Sequence, residues 1–227
     1  MAAAMLRGHF PRISILRRIA YWSFSAMAGR QIKNPALFIC DLQEKFRGAI
    51  YEFPKVISTA QKMLKASQIL NFPVFATTQN KGRLGETCSE LGLDAPDGVQ
   101  TQIHADKTLF SMITPEVRKS ISSLESPLSC VILGIESHIC VTQTAIDLLH
   151  DGHKVYVLAD GVSSCNKEEV PIALAQLRHE GAVVTTSESW LYQCMGDANI
   201  SEFRQIAGLV KETKDSTKDA LQTLCKI

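Results

Sequence analysis

The sequence predicts an α/β fold: a three-layer, doubly wound parallel sheet of six strands with helices on both faces. Three observations predict it. Short apolar runs rich in Val, Ile and Leu alternate with stretches of helical spacing, which is the rhythm of βαβ units. Several of those runs stop at a polar residue or a glycine, as strands buried on both faces do at their ends. Crossovers between parallel strands are right-handed, which leaves the doubly wound forms. With 227 residues, 45% of them hydrophobic, the chain carries enough apolar surface for one domain's core.

Residues 36–41 read as the first strand, an apolar run ending in Asp41. The turn after it, Asp41 to Phe46, lacks the glycines that let backbone approach a pyrophosphate, so it is no dinucleotide cradle. Residues 55–70 place Val56, Ile57, Ala60, Met63, Leu64 and Ile69 at helical spacing, with Pro54 suited to the first turn. Residues 74–79 are the second strand, and 80–98 form a long polar loop with one short helix, a candidate lid. Residues 101–104 make a short third strand that leads to Lys107. Thr114-Pro115-Glu116 starts a helix, with threonine as N-cap and proline first.

The fourth strand, Cys130 to Leu133, breaks at Gly134. Helical spacing resumes at Ile139 and runs to Leu149, so Cys140 lies at a helix start just past a strand's carboxyl end. Open α/β sheets put their ligands there, and a helix N-terminus favours an anionic sulfur. Residues 155–160 are the fifth strand. A helix over 167–180 is closed by Gly181, and 182–186 are the sixth strand. Helices over 188–194 and 201–212 complete a domain spanning 31–212, and 213–227 are a tail or a docked helix.

No apolar run is long enough to cross a bilayer, and the net charge of +1 gives no sign of a nucleic-acid partner. The charge is uneven, however. Residues 1–30 hold Arg7, Arg12, Arg17, Arg18 and Arg30 and no acid, which is +5 and leaves the rest of the chain at −4. A basic, acid-free leader with apolar residues between the arginines is expected to be a mitochondrial transit peptide; the plainer reading is a disordered basic tail. Initiation at Met27 would give a shorter cytosolic form, which a comparison of gel mobility between the two compartments checks. The seven cysteines include no C-x-x-C pair and no zinc spacing, which suits reduced thiols.

Three residues stand at strand ends or in the loops beyond: Asp41, Lys107 and Cys140. Such ends share one edge of the sheet, so the three can converge. A carboxylate can take a thiol's proton, a lysine can neutralise that carboxylate, and the thiolate can attack a carbonyl. Each residue alone has a plainer reading: Asp41 as a cap or turn residue, Lys107 as a solvated lysine, Cys140 as a core thiol.

Five stretches, in order, resemble the isochorismatase-like cysteine hydrolase family: Phe38 to Phe46, Lys107 to Met112, Gly134 to Val141, Ala159 to Ser164 and Thr185 to Glu188. The resemblance implies the strand order 3-2-1-4-5-6 and the triad Asp41, Lys107 and Cys140. It also implies a non-proline cis peptide at Ile135–Glu136 and an oxyanion hole from the N–H groups of Cys140 and Ile139. Gln43, Phe46, Gln79 and His138 are candidates to line the substrate pocket, and His104 lies nearby. Nicotinamidases of the family hold a metal through an Asp-x-His motif and a further His; residues 42–103 contain no histidine, so no metal and no cofactor are expected. The family's Ser-Ser-Arg after strand five is Ser163-Ser164-Cys165 here. The expected protein is a homo-oligomeric hydrolase of a small amide-like substrate working through a thioester. Alternatives are vinyl-ether hydrolysis of isochorismate with Asp41 as general acid, or a silent interaction module.

Overall fold

A computed structural model describes residues 31–93, 99 and 101–225. The expected leader, 1–30, lies outside the described residues, as does part of the 80–98 loop. Six strands form one sheet: β1 (Pro35–Cys40), β2 (Val74–Gln79), β3 (Thr101–Lys107), β4 (Ser129–Gly134), β5 (Lys154–Val162) and β6 (Val183–Thr185). Every pairing is parallel, and the order is β3-β2-β1-β4-β5-β6. That is the order the resemblance implies. The chain winds outward from β1 in one direction and from β4 in the other, so the crevice between those two strand ends is the switch point of the sheet.

Among the described residues, eight α-helices cover the sheet: α1 (Phe53–Leu70), α2 (Lys81–Leu84), α3 (Pro115–Ile121), α4 (Thr142–His150), α5 (Glu169–His179), α6 (Ser187–Met195), α7 (Phe203–Glu212) and α8 (Lys214–Leu224). The period-2 alternation of the strands sorts the core into two layers. Leu37 and Ile39 of β1 pack with Val131, Leu133 and Leu158 under α1, α6, α7 and α8. Ala36, Phe38 and Cys40 face the other way, with Ile132 and Val157, under α3, α4 and α5. Phe38 and Phe75 stack in that second layer with ring centroids 4.9 Å apart.

The last described stretch is a docked helix. Ala220 and Leu224 of α8 are buried, and the buried Lys62 of α1 donates to Thr217 at 2.8 Å. Strand β3 runs three residues beyond the expected 104, and Lys107 is its last residue, in register with Gln79. Its mixed burial explains why apolar pattern alone stops it short. No helix of the described residues is long and apolar enough to cross a membrane.

One turn is set by a histidine. His153, between α4 and β5, accepts the Leu128 N–H on Nδ1 at 3.1 Å, which requires the neutral ring. Burial pulls its pKa down, aided by Arg118 and opposed by Asp151. A folded pKa below the unfolded value means that His153 contributes stability above about pH 6.5. That contribution is lost as pH falls through the folded value. Acidification from pH 7.5 should therefore lower the Tm of wild type more than that of His153→Asn, measured by calorimetry. Equal falls would contradict this role.

Candidate active site

The sequence around Asp41 forces it out of the strand. β1 ends at Cys40, and Asp41 takes a left-handed conformation (φ 49°), which aspartate tolerates better than most side chains. Its carboxylate is buried, with the whole residue 1% exposed. Oδ1 accepts from the Thr77 hydroxyl at 2.8 Å, and Oδ2 accepts from Lys107 Nζ at 2.7 Å.

Lys107 is not the solvated lysine that its type suggests; its side chain is fully buried beside Asp41. The ammonium also donates to Gln79 Oε1 at 2.7 Å and to the carbonyls of Phe110 and Leu109 at 3.0 and 3.1 Å. Burial pulls the lysine pKa down. The Asp41 carboxylate, with the neighbouring Cys40 and Cys140 sulfurs, outweighs that pull and leaves it raised. A buried cation is tolerated only with this many partners.

Cys140 arrives from the other side of the switch point. Between β4 and α4 the chain makes one wide turn, Ser137–Val141, closed by Val141 N–H to the Glu136 carbonyl at 3.2 Å. The Ile135–Glu136 peptide before it is cis. The Lys107 ammonium lies 3.9 Å from Cys140 Sγ. Asp41, Lys107 and Cys140 therefore come together at the carboxyl edge, flanking β1 and β4. Cys140 is buried, with 7% of the residue exposed.

The loop after β5 holds the turn. Ser137 N–H donates to the Ser163 carbonyl at 2.8 Å, and Cys165 N–H to the Glu136 carboxylate at 2.8 Å. Ser164 Oγ lies 2.5 Å from Ser137 Oγ and 2.9 Å from His138 Nδ1. Where the family has an arginine, Cys165 is exposed and contributes its backbone.

Several expected site residues have other work. The Ile139 N–H, expected in the oxyanion hole, is given to the Glu136 carbonyl three residues back at 3.1 Å. Ile135 is fully buried and donates to the Cys40 carbonyl at 3.0 Å, tying the two strand ends. Gln43, expected to line the pocket, is fully buried; its amide donates to the Gly85 and Gln79 carbonyls at 2.7 and 3.2 Å and accepts from Gln79 N–H at 2.7 Å. A buried amide must satisfy itself in this way. Gln79 spends its side chain on Lys107 and on the Thr108 carbonyl at 3.1 Å. Phe46 packs half-buried against the α1 layer. His104 bonds Thr87 Oγ1 at 2.8 Å.

The sequence reading missed Thr77 and Cys40. A threonine in a buried strand carries no signal. Cys40 did carry one, its place beside Asp41 at a strand end, but it read as an inert core thiol. The ligand atoms of Cys40, Asp41 and Cys140 lie within 4.8 Å of one another, close enough to hold a metal ion. The Lys107 ammonium already stands against the carboxylate there, so these donors fit a fixed cation better than a metal. Glu44 and Glu90, which cluster with Cys88, are likewise bridged by the Arg47 guanidinium.

The family model of the isochorismatase domain matches residues 35–189. Isochorismatase domain-containing protein 2 of Xenopus laevis is 41% identical over 180 residues, 79% of this chain and 85% of that protein. The secreted isochorismatase effector Isc1 of Phytophthora sojae is 40% identical over 186 residues, 81% of this chain and 88% of that protein. Among solved structures, the MAR1 ribonuclease of Caenorhabditis elegans is similar with a TM-score of 0.72 and 35% identity, covering 78% of this chain and 90% of that one.

Proposed function

The chain belongs to the isochorismatase domain family, and from this we propose that it is a cysteine hydrolase of a small amide-like C–N bond. The observation that carries the reading is the buried Lys107 ammonium, 2.7 Å from the Asp41 carboxylate and 3.9 Å from Cys140 Sγ. Buried charges cost several kcal/mol each, so a cation, a carboxylate and a thiol gathered at a sheet's switch point suit chemistry better than they suit packing.

The steps follow from those positions. Asp41 takes the Cys140 proton, and the thiolate attacks the substrate carbonyl. The Cys140 N–H at the start of the helix supports the oxyanion. Asp41 returns its proton to the leaving nitrogen, and the C–N bond breaks to leave a Cys140 thioester. Asp41 then takes a proton from water, which attacks the thioester and frees the acid and the thiolate. Lys107 neutralises Asp41 throughout and holds it against Cys140. The reading includes a small-molecule substrate, a homo-oligomer and a mitochondrial address in residues 1–30.

Asp41→Ala and Cys140→Ala, assayed side by side on small amides, isochorismate and RNA, test it. Loss of amide hydrolysis in both variants is expected. Turnover of isochorismate that needs Asp41 and survives Cys140→Ala would replace thioester chemistry with vinyl-ether protonation. Turnover of RNA alone would replace the substrate class.

A further inference from the structure

The residue before Asp41 is a second buried thiol that the proposed mechanism does not use. In a regular strand, neighbouring side chains leave on opposite faces. Here the left-handed Asp41 breaks that rule, and the Cys40 thiol lies 3.7 Å from Asp41 Oδ2, in position to donate to it. Cys40 belongs to the same core layer as Cys140, and the two sulfurs and the carboxylate lie within 4.8 Å of one another. Cys88 and Cys130 are buried too, but neither shares such a cluster with another thiol among the described residues.

We propose that Cys40 and Cys140 are an oxidant-reactive dithiol site that takes a hydroperoxide and closes to an intramolecular disulfide; this rests on Cys140 being the nucleophile proposed above. In the first step the Cys140 thiolate attacks the peroxide. An S–O bond forms, the O–O bond breaks, and the sulfur gives two electrons to the departing hydroxide or alkoxide, which takes from Asp41 the proton that Cys140 had given it and leaves Asp41 a carboxylate again. In the second step Cys40 passes its proton to Asp41 and attacks the Cys140 sulfenic acid. The S–S bond forms, the S–O bond breaks, and the hydroxyl leaves with that proton as water. To form the bond the sulfurs must close from within 4.8 Å to about 2.0 Å. A dithiol reductant reverses the bond.

The chemistry gives Cys40 a purpose that packing does not. Burial pushes its thiol pKa up, and the hydrogen bond with Cys140 and the charge of Asp41 push it further. Cys40 therefore stays a thiol until a sulfenic acid forms beside it and Asp41 takes its proton. Without a neighbouring thiol, a sulfenic acid at Cys140 would go on to the irreversible sulfinic acid. The disulfide covers the nucleophile, switches hydrolysis off and preserves the sulfur for recovery.

The test treats the reduced full-length protein with hydrogen peroxide, alkylates the remaining thiols and maps tryptic peptides. The peptide Asn34 to Lys45 carries Cys40, and the peptide Ser120 to Lys154 carries Cys130 and Cys140. The expected product is these two peptides joined with the loss of two hydrogens, with fragmentation placing the bond on Cys140. Dithiothreitol should then restore both alkylation and any hydrolysis. In Cys40→Ser, Cys140 should instead gain two oxygens that dithiothreitol does not remove. Wild type that carries sulfinic acid on Cys140 while Cys40 remains alkylatable overturns the proposal and leaves the hydrolase reading intact. A Cys140 inert to both peroxide and iodoacetamide overturns both.

Discussion

Lys107→Met is expected to abolish hydrolysis and to lower stability by about 3–5 kcal/mol, the range for removing one partner of a buried ion pair. Methionine keeps the length of the side chain and removes only the charge and its donors. Asp41 would be left with the Thr77 hydroxyl and the weak Cys40 thiol as donors, in a site where its side chain is 2% exposed. The Gln79 amide oxygen and the Leu109 and Phe110 carbonyls would lose their common donor. An uncompensated carboxylate in that position costs more than the pair gains. The double variant Asp41→Asn/Lys107→Met removes both charges of the pair, so it should recover much of the stability and none of the activity. Urea unfolding of the three proteins separates these effects. A Lys107→Met protein as stable as wild type would contradict the structural role given to the pair.

Gly134→Ala should be worse for the fold, with a loss of more than about 4 kcal/mol. Gly134 has φ 119°, and a Cβ there would lie 2.2 Å from the Cys40 carbonyl oxygen and 2.8 Å from the Cys40 nitrogen. Neither atom can yield. Cys40 and Gly134 are register partners in β1 and β4, and β1 is held on its other side by β2. The displacement falls on Cys40 and hence on Asp41, so any folded fraction should have lost its site as well. Gly208→Ala is the control. It lies in α7 with nothing within 4 Å of the added atom, and alanine there should be neutral or stabilising by up to about 1 kcal/mol. Thermal melts of the two variants give the comparison, and near-wild-type melting of Gly134→Ala would refute the close approach.

The contrast between these residues shows what a sequence can disclose. Asp41 and Cys140 were legible because each breaks a strong local pattern, an acid closing an apolar strand and a thiol opening a helix. The sheet was legible for the same reason, since β1, β2, β4 and β5 are buried almost throughout and each carries an apolar run. Strand β3 was cut short because it sits at the edge of the sheet, half-exposed, where polar residues such as Gln102 and Asp106 hide the alternation. Lys107 was legible by its place beyond a strand end, but its burial was not, because no local pattern says that a lysine will be buried.

The supporting contacts were the hardest to read. Gln43 and Gln79 looked like pocket residues by position. Which groups a buried amide bonds depends on chain segments that meet only in the fold, here residues 43, 79 and 85. Ile139 failed for a similar reason: helical spacing gave the start of a helix, but not that its N–H would close a tight turn onto the Glu136 carbonyl three residues back. Cys40 was visible and undervalued, because a cysteine in an apolar strand ordinarily is a small core residue.

The central claim is that Cys140 becomes covalently acylated with Asp41 and Lys107 in support. Intact-mass measurement of protein quenched in acid during turnover of a pool of small amides tests it most directly. The expected result is a mass increase equal to an acyl group, mapped to Cys140 and missing from Cys140→Ala; an unmodified wild type that turns substrate over, with Cys140→Ala equally active, would contradict it.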